Sequence, residues 1–385
     1  MHLEAVQYEI VTGEARFLAL QPEWDALHAR SAERHFSQSF LWCWKSWQAV
    51  EQPRGRSLLC IIAREGERPV LIWPFVRYRH VLWSVAAQLG CAYAEYAGPL
   101  VEDGREVDQR IIDAWGALRK GCGCDIIELS SVASGSRVHH VVAKETAGRV
   151  REVTPSFAVE WSGIQDWADY LQSLQGDNRR KQSARNRRRL EKIGSFAFSA
   201  IEGGSAAAQV IDWILPRKVE QLATAGQRGP WLETEAYRNL LTSVACNSSS
   251  AGSILTFALR LNDQIIAALM SRVDARRIEM MNTVFDPEYG KYGPGQILME
   301  DCLKWALERR LDFDMRIGDY PYKRSWANSQ REIIGYEFAN SRLGRGYSPY
   351  LQLVSHLSRV KLLLPAPARR RAKILLRSVL LRKGQ

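Results

Sequence analysis

The stretch from Arg277 to Arg309 constrains this chain most. Arg277 to Phe285 reads as a strand, and it runs into Asp286-Pro-Glu-Tyr-Gly-Lys-Tyr-Gly-Pro-Gly295, with glycines at 290, 293 and 295. From about Pro294 onward Ile297, Leu298, Leu303 and Leu307 recur at helical spacing, so a helix to Arg309 follows. Strand, glycine loop, helix start is a layout that binds phosphate. Glycines let the backbone approach an anion, and the first-turn N–H groups point at it with the helix dipole behind them. The candidates for holding such a group are Asn282, Lys291, Gly293, Gly295 and Gln296.

With 385 residues, two domains are expected. Hydrophobic content of 46% and charged content of 25% are ordinary for globular chains, so each domain has a core to bury. The first half reads as mixed α/β. Ala5 to Val11, Ser57 to Arg64, Pro69 to Arg77, Tyr93 to Val101, Asp125 to Leu129 and Val150 to Trp161 are strand-like. Glu23 to Arg30, Leu41 to Val50, Val107 to Arg119 and Arg137 to Thr146 are helix-like. The second half repeats the order, with strands at 253–261, 265–273, 277–285, 311–317 and 332–339 and a helix at 295–309. The fold class is therefore α/β, as two similar domains that each have a mixed sheet flanked by helices. The expected ranges are 1–162, a helical linker at 163–194, a second domain at 195–345, and a basic helical tail at 346–385.

Charge is concentrated. The net value is +11, yet Arg179 to Lys192 alone holds eight Lys/Arg against one acid, Glu191. No acid follows Glu337, while eleven Lys/Arg lie between Arg342 and Lys383. The first run forms a helix with almost no apolar face, which is expected not to dock by burial. Arg185 and Arg189 lie on its cationic ridge and are candidates for binding an anionic acceptor, with RNA as a less favoured partner. The tail mixes bases with leucines over 365–385, a composition suited to peripheral contact with anionic lipid. It equally suits packing on the body or on another subunit. Seven cysteines form no disulfide framework, and Cys122-Gly-Cys124 lacks a second ligand pair, so no metal is expected. The start of the chain has no signal-peptide pattern, and no apolar run is long enough to span a bilayer, so a cytoplasmic location is expected.

A second chemical segment is Gly318-Asp-Tyr-Pro-Tyr-Lys-Arg-Ser-Trp326. Asp314, at the end of the preceding strand, is a candidate base. Tyr322 is a candidate acid, and Lys323 a candidate for neutralising developing negative charge. Asp319 and Trp326 are candidates for the acceptor site, as are Glu95 and Tyr96 in the first half.

Taken together, the second half resembles the cellulose-biosynthesis-associated acetyltransferases of the GNAT superfamily, the CelD/BcsL-like group. The residues that carry the resemblance are the basic stretch ending Arg189-Leu-Glu-Lys192, Gln264-Ile-Ile-Ala-Ala268, Phe285-Asp-Pro287, Gly293-Pro-Gly295, Asp312-Phe-Asp314, and Gly318 to Trp326 with Tyr322-Lys323. Phe36 to Trp42 and Tyr96 carry it more weakly. The Fem-type peptidoglycan aminoacyltransferases look like distant relatives. The resemblance implies tandem GNAT-like folds, an acetyl-CoA donor, and an amine or hydroxyl acceptor on a small anionic or sugar-linked molecule. It also leaves an aminoacyl-tRNA-dependent transferase and a non-catalytic partner of a polysaccharide synthase as alternatives. The usual phosphate loop of that superfamily is Arg/Gln-x-x-Gly-x-Gly/Ala, whereas this chain has Lys291-Tyr-Gly-Pro-Gly295.

Overall fold

A computed structural model describes residues 6–90, 96, 98–145, 148–174, 178–247, 249 and 251–363, without the side chains of 178–182 and 358–363. Glu95 and the segment 365–385 lie outside the described residues. The strands are β1 (Val6–Val11), β2 (Ser57–Glu65), β3 (Arg68–His80), β4 (Trp83–Gln88), β5 (Leu100–Val101), β6 (Ile126–Ala133), β7 (Gly148–Val159), β8 (Phe196–Glu202), β9 (Ser253–Leu261), β10 (Gln264–Val273), β11 (Arg277–Phe285), β12 (Asp312–Ile317) and β13 (Ser329–Ala339). They divide into two compact units. The first comprises residues 1–34, 51–153 and 334–385, and the second comprises 35–50 and 154–333.

In the first unit β1, β2, β3 and β4 pair antiparallel in that order. β4 then pairs parallel with β6, and the far half of β13 lies beyond β6. The helix Val107–Gly121 buries Ile111, Ala114, Trp115 and Leu118 against β2 and β3. That stripe matches the 3.6-residue period seen in the sequence. The C-terminal helix Tyr347–Leu363 packs Tyr347, Tyr350 and Leu351 on Trp83 and Val85.

The second unit has the same order. β8, β9, β10 and β11 pair antiparallel, β11 pairs parallel with β12, and β12 pairs antiparallel with the near half of β7. The alternate residues Leu255, Phe257, Leu259 and Leu261 of β9 share one core with Ile297, Leu298, Cys302, Leu303 and Ala306 of the helix Pro294–Glu308. The period-2 and period-3.6 patterns thus meet on one face. A long helix, Gly204–Thr224, packs on β9, β10 and β11, with the helix Glu235–Cys246 against it.

The architecture is mixed α/β, each unit having a mixed sheet flanked by helices. The compact units do not coincide with the contiguous ranges 1–162 and 195–345. The last sheet strand of each unit comes from a distant part of the chain: Ile334–Ala339 serves the first, Thr154–Val159 the second. Residues 35–50 also pack in the second unit, where Phe36 lies against Gly252.

The basic helix Asn178–Glu191 corrects an expectation. It docks, because Ser183, Asn186 and Leu190, spaced three and four apart, are buried and turned inward together. It packs on the loop Pro287–Tyr292 and on the helix Pro294–Glu308, with Arg187 ion-paired to Asp301 at 2.6 Å. Leu190 alone enters the main core; the small polar residues let the two backbones approach.

Candidate functional site

The centre of the second unit is the place where β11 and β12 part. Their parallel pairing joins Arg277, Ile278 and Glu279 to Asp312, Phe313 and Asp314, and it stops there. Two irregularities follow at once. On β11, Ser271 faces Met280 while Met270 faces Asn282, so Met281 is an extra residue that bulges the strand. On β12, Met315 is skipped in the register with β7, and Arg316 takes a left-handed φ of 63°. A buried non-glycine residue in that conformation is costly, and such outliers gather at functional sites. The backbone from Met280 onward is thereby freed from its neighbour on one side. The Arg316 guanidinium spans the opening, with Nη1 3.5 Å from the Met280 carbonyl oxygen.

The glycine loop lies at the far end of β11. Asp286 receives the Glu288 N–H at 3.1 Å and starts a short 3-10 turn through Tyr292. Gly293 then takes φ 59° and ψ 48°, and its carbonyl accepts from the N–H groups of Gln296 and Ile297. A side chain at 293 would be strained, and its Cβ would stand 2.9 Å from Asn186 Nδ2. Pro294 has no N–H, and Gly295 sits where a first-turn N–H has no acceptor within the helix. The first turn holds no acid. Arg189 donates to the Lys291 carbonyl at 3.2 Å and lies over the Tyr292 ring, 5.0 Å from its centroid. Lys291, Gly293, Gly295, Gln296 and Arg189 are therefore gathered at one helix N-terminus, with Asn282 half-buried up the strand. Arg185 is exposed on the basic helix.

The remaining sequence candidates fall less uniformly. Asp314 is buried, accepts the Arg316 N–H at 2.7 Å, and pairs with Arg331 at 2.6 Å. These two bonds fix the carboxylate at the point where β11 and β12 part. Lys323 is only 4% exposed and donates to the carbonyls of Arg316 at 3.3 Å and Ile317 at 2.5 Å. Its charge caps the end of β12, just beyond the point where the strands part. Asp319 is exposed and ion-paired to Arg324, whose hydrogen bond holds the carboxyl below its ordinary range. Trp326 is buried beside Trp167, and its carbonyl accepts from the Tyr170 hydroxyl. Tyr322 is exposed, with its ring stacked on Tyr320. Tyr96 is buried in the first unit.

These two bonds place Lys323 to hold the end of β12. Lys323→Met should lower both the unfolding temperature and the transfer rate, because two buried carbonyls lose charge-assisted donors at roughly 1.5–3 kcal/mol each. Thermal denaturation read alongside turnover checks this. A lower rate with an unchanged unfolding temperature would return Lys323 to direct contact with the reacting atoms.

Two groups of polar residues escaped the sequence reading. Glu279, the last residue of β11 paired with β12, is fully buried; it pairs with Arg272 at 2.7 Å and with His35 Nδ1 at 2.9 Å. Burial would push its carboxyl up. The Arg272 charge, then the hydrogen bond and charge of His35 and the charge of Arg277, outweigh burial and hold it well below the usual carboxylate range. Arg272 also lies over the Trp42 ring, 4.8 Å from its centroid. The signal was present as single charges inside the apolar runs Ile265–Val273 and Ile278–Val284. Lys218, half-buried on the helix Gly204–Thr224, donates to the Thr283 carbonyl of β11 at 3.1 Å, and burial lowers its pKa. Nothing in the sequence pointed to it.

In the first unit the corresponding place is filled. β4 and β6 pair over Val85–Ala87 and Ile126–Glu128. Glu128 then takes the hydroxyls of Tyr78 at 3.2 Å and Tyr347 at 3.4 Å, with Arg151 at 2.7 Å. The helix between β5 and β6 opens on Glu106-Val-Asp108, two acids where the second unit has glycine. A diphosphate would be repelled there. Among the described residues no group of three or more metal-ligating side chains forms a cluster, and the six described cysteines are free thiols.

Residues 177–324 match the acetyltransferase (GNAT) domain family. No curated protein sequence matches the chain. Among solved structures, FemX aligns with a TM-score of 0.55 at 8% identity, over 84% of this chain and 96% of its own. A conserved protein of unknown function from Bacteroides thetaiotaomicron VPI-5482 aligns with a TM-score of 0.51 at 11% identity, over 87% of this chain and 100% of its own. A tandem GNAT protein from the clavulanic acid biosynthesis pathway aligns with a TM-score of 0.49 at 11% identity, over 87% of this chain and 99% of its own. The chain thus has a mixed α/β fold similar to that of tandem GNAT-like proteins, and residues 177–324, within its second unit, are the part that matches the GNAT acetyltransferase domain family.

Proposed function

We propose that the second unit transfers an acetyl group from acetyl-CoA to an amine or hydroxyl of a small acceptor, with a sugar or glycan precursor of a surface polysaccharide as the favoured class. One observation carries this reading: β11 and β12 part after Glu279 and Asp314, beside an acid-free helix start opened by Gly293 and Gly295. Bound acetyl-CoA supplies the activated acyl group as a thioester. The chain supplies the rest. Gly295, Lys291 and Arg189 offer an N–H group and two positive charges to a diphosphate. The freed backbone from Met280 to Asn282 offers N–H and C=O groups to an extended ligand arm and its acyl oxygen. Lys323 and Arg316 hold the end of β12 in place. Tyr322, exposed on the short helix after that strand, is proposed to protonate the thiolate leaving group, while the proton lost by the acceptor amine or hydroxyl passes to solvent. The cellulose-associated group is part of the proposal, as is a peripheral electrostatic contact of 365–385 with anionic lipid.

Calorimetry with acetyl-CoA tests the donor. Saturable binding at one site per chain is expected, and the absence of any heat up to millimolar ligand would end the reading. The basic helix favours one second reading, an aminoacyl-tRNA-dependent transfer, because Arg185, Arg188 and Arg189 are exposed on it. That reading requires RNA affinity that falls by about 0.7 log units per log of salt for each single-strand phosphate contact. No RNA binding at low salt would dispose of it.

A further inference from the structure

The first unit carries an apolar face that the described residues leave uncovered. Five leucines are exposed among the described residues: two of them, Leu82 at 59% and Leu343 at 52%, adjoin Trp83, and two more, Leu353 at 57% and Leu357 at 41%, lie on the helix whose Tyr347 and Tyr350 pack on Trp83. Leu82 is at the tip of the β3–β4 hairpin, where His80 pairs with Trp83 across a two-residue turn. The first turn residue, Val81, takes φ 58°. Turns with a positive φ at that position ordinarily hold glycine, and a β-branched residue there is an outlier. Val81 is half-buried against the Trp83 cluster, and the strained turn leaves Leu82 exposed at its tip. Leu343 adjoins it, since its carbonyl accepts the Trp83 indole N–H at 2.8 Å. The C-terminal helix adds the rest. Tyr350 packs on Trp83 at 5.0 Å between ring centroids, and Leu353 and Leu357 continue the same stripe beyond the hairpin, where nothing covers them among the described residues.

The rim of this face is basic. Arg79, Arg342 and Arg345 are exposed beside it. The nearby acid Asp125 is engaged by Ser84 and Ser341. No acid occurs in the sequence after Glu337. Leucines on a protruding tip and a helix, ringed by arginines, complement a surface that is apolar below and anionic above. We propose that this face of the first unit docks on an anionic lipid bilayer, with Leu82, Leu353 and Leu357 entering the headgroup–acyl boundary. The inference concerns folded residues of the first unit. It rests neither on the tail contact nor on the donor reading of the second unit. Among the described residues no helix is long and apolar enough to cross a membrane, so the association inferred is one-sided.

Flotation of the full-length protein with vesicles of phosphatidylcholine, with and without phosphatidylglycerol, tests it. Wild type should float with the anionic vesicles. Leu82→Glu combined with Leu353→Glu should lower its partition by about 100-fold, roughly tenfold for each leucine withdrawn from the boundary. Both positions are exposed, so the unfolding temperature should stay constant. Reversing Arg369, Arg370 and Arg371 to glutamate should leave a residual partition that the leucine variant lacks. A leucine variant that floats as well as wild type overturns the proposal and assigns any binding to the tail. Wild type that fails to float, yet forms a concentration-dependent dimer which the leucine variant loses, overturns it in favour of a second copy of this chain.

Discussion

Gly295→Asp should abolish measurable acetyl-CoA binding while leaving the protein folded. The Cβ of an added side chain would meet only Phe285 Cδ1, at 3.4 Å, so the loop has room for it. Its carboxylate would then stand at the helix N-terminus, in the place proposed for the diphosphate. Two like charges about 4 Å apart repel by roughly 4 kcal/mol at an effective dielectric constant of 20. Discounting that for solvent still leaves a loss of at least ~100-fold in affinity. An acid in the first turn of a helix favours the helix itself by about 0.3–1 kcal/mol, so the unfolding temperature should hold or rise. Gly295→Ala is the control and should bind nearly as wild type. Calorimetry and thermal denaturation of the three proteins decide it. If Gly295→Asp binds acetyl-CoA as wild type does, the loop does not hold the donor.

Glu279→Gln should have the largest effect on stability. Glutamine keeps the shape and a hydrogen bond to His35, but it leaves the Arg272 guanidinium buried without its counter-charge. Removing one partner of a buried ion pair costs about 3–5 kcal/mol. The pH dependence gives a separate signature. The folded carboxyl lies below its unfolded value of about 4.3. Its contribution is therefore fully present above that value and is lost as pH falls toward the folded one. The gap in unfolding free energy between wild type and Glu279→Gln should be constant from pH 8 to about pH 5 and then narrow in acid. Urea titrations across that range measure it. A gap that widens in acid would mean that the carboxyl is protonated in the folded protein.

Much of the fold can be read from local pattern, and the failures have local causes. The loop at 286–295 is legible because glycine and proline punctuate a strand and a helix, each with its own period. β4 escapes notice because Ser84, Ala86, Ala87 and Gln88 dilute its apolar signal. The helix Gly204–Thr224 contains Pro216 and opens on two glycines, so it reads as broken. The partners of β7 and β13 are illegible for a deeper reason. Alternation tells that a segment is a strand and which face it buries, but not which edge it joins. The same limit applies to the site. Glycines and a helix start are properties of contiguous residues. The engagement of Asp314 by Arg331, of Glu279 by His35 and of Thr283 by Lys218 depends on segments 17, 244 and 65 residues apart.

The exchange of β7 and β13 has a consequence for biosynthesis. A chain leaves the ribosome from its N-terminus, and a domain of contiguous residues can fold as soon as its last strand has emerged. Here the first unit includes Ile334–Ala339, so its sheet stays one strand short until about 180 residues after the last of its earlier segments have been made. Meanwhile residues 35–50, synthesised early, await β9 to β11, which appear more than two hundred residues later. The nascent chain therefore carries open sheet edges and uncovered apolar strands until those later segments emerge. That is the situation in which holdase chaperones are needed and premature termination yields aggregates rather than a working half.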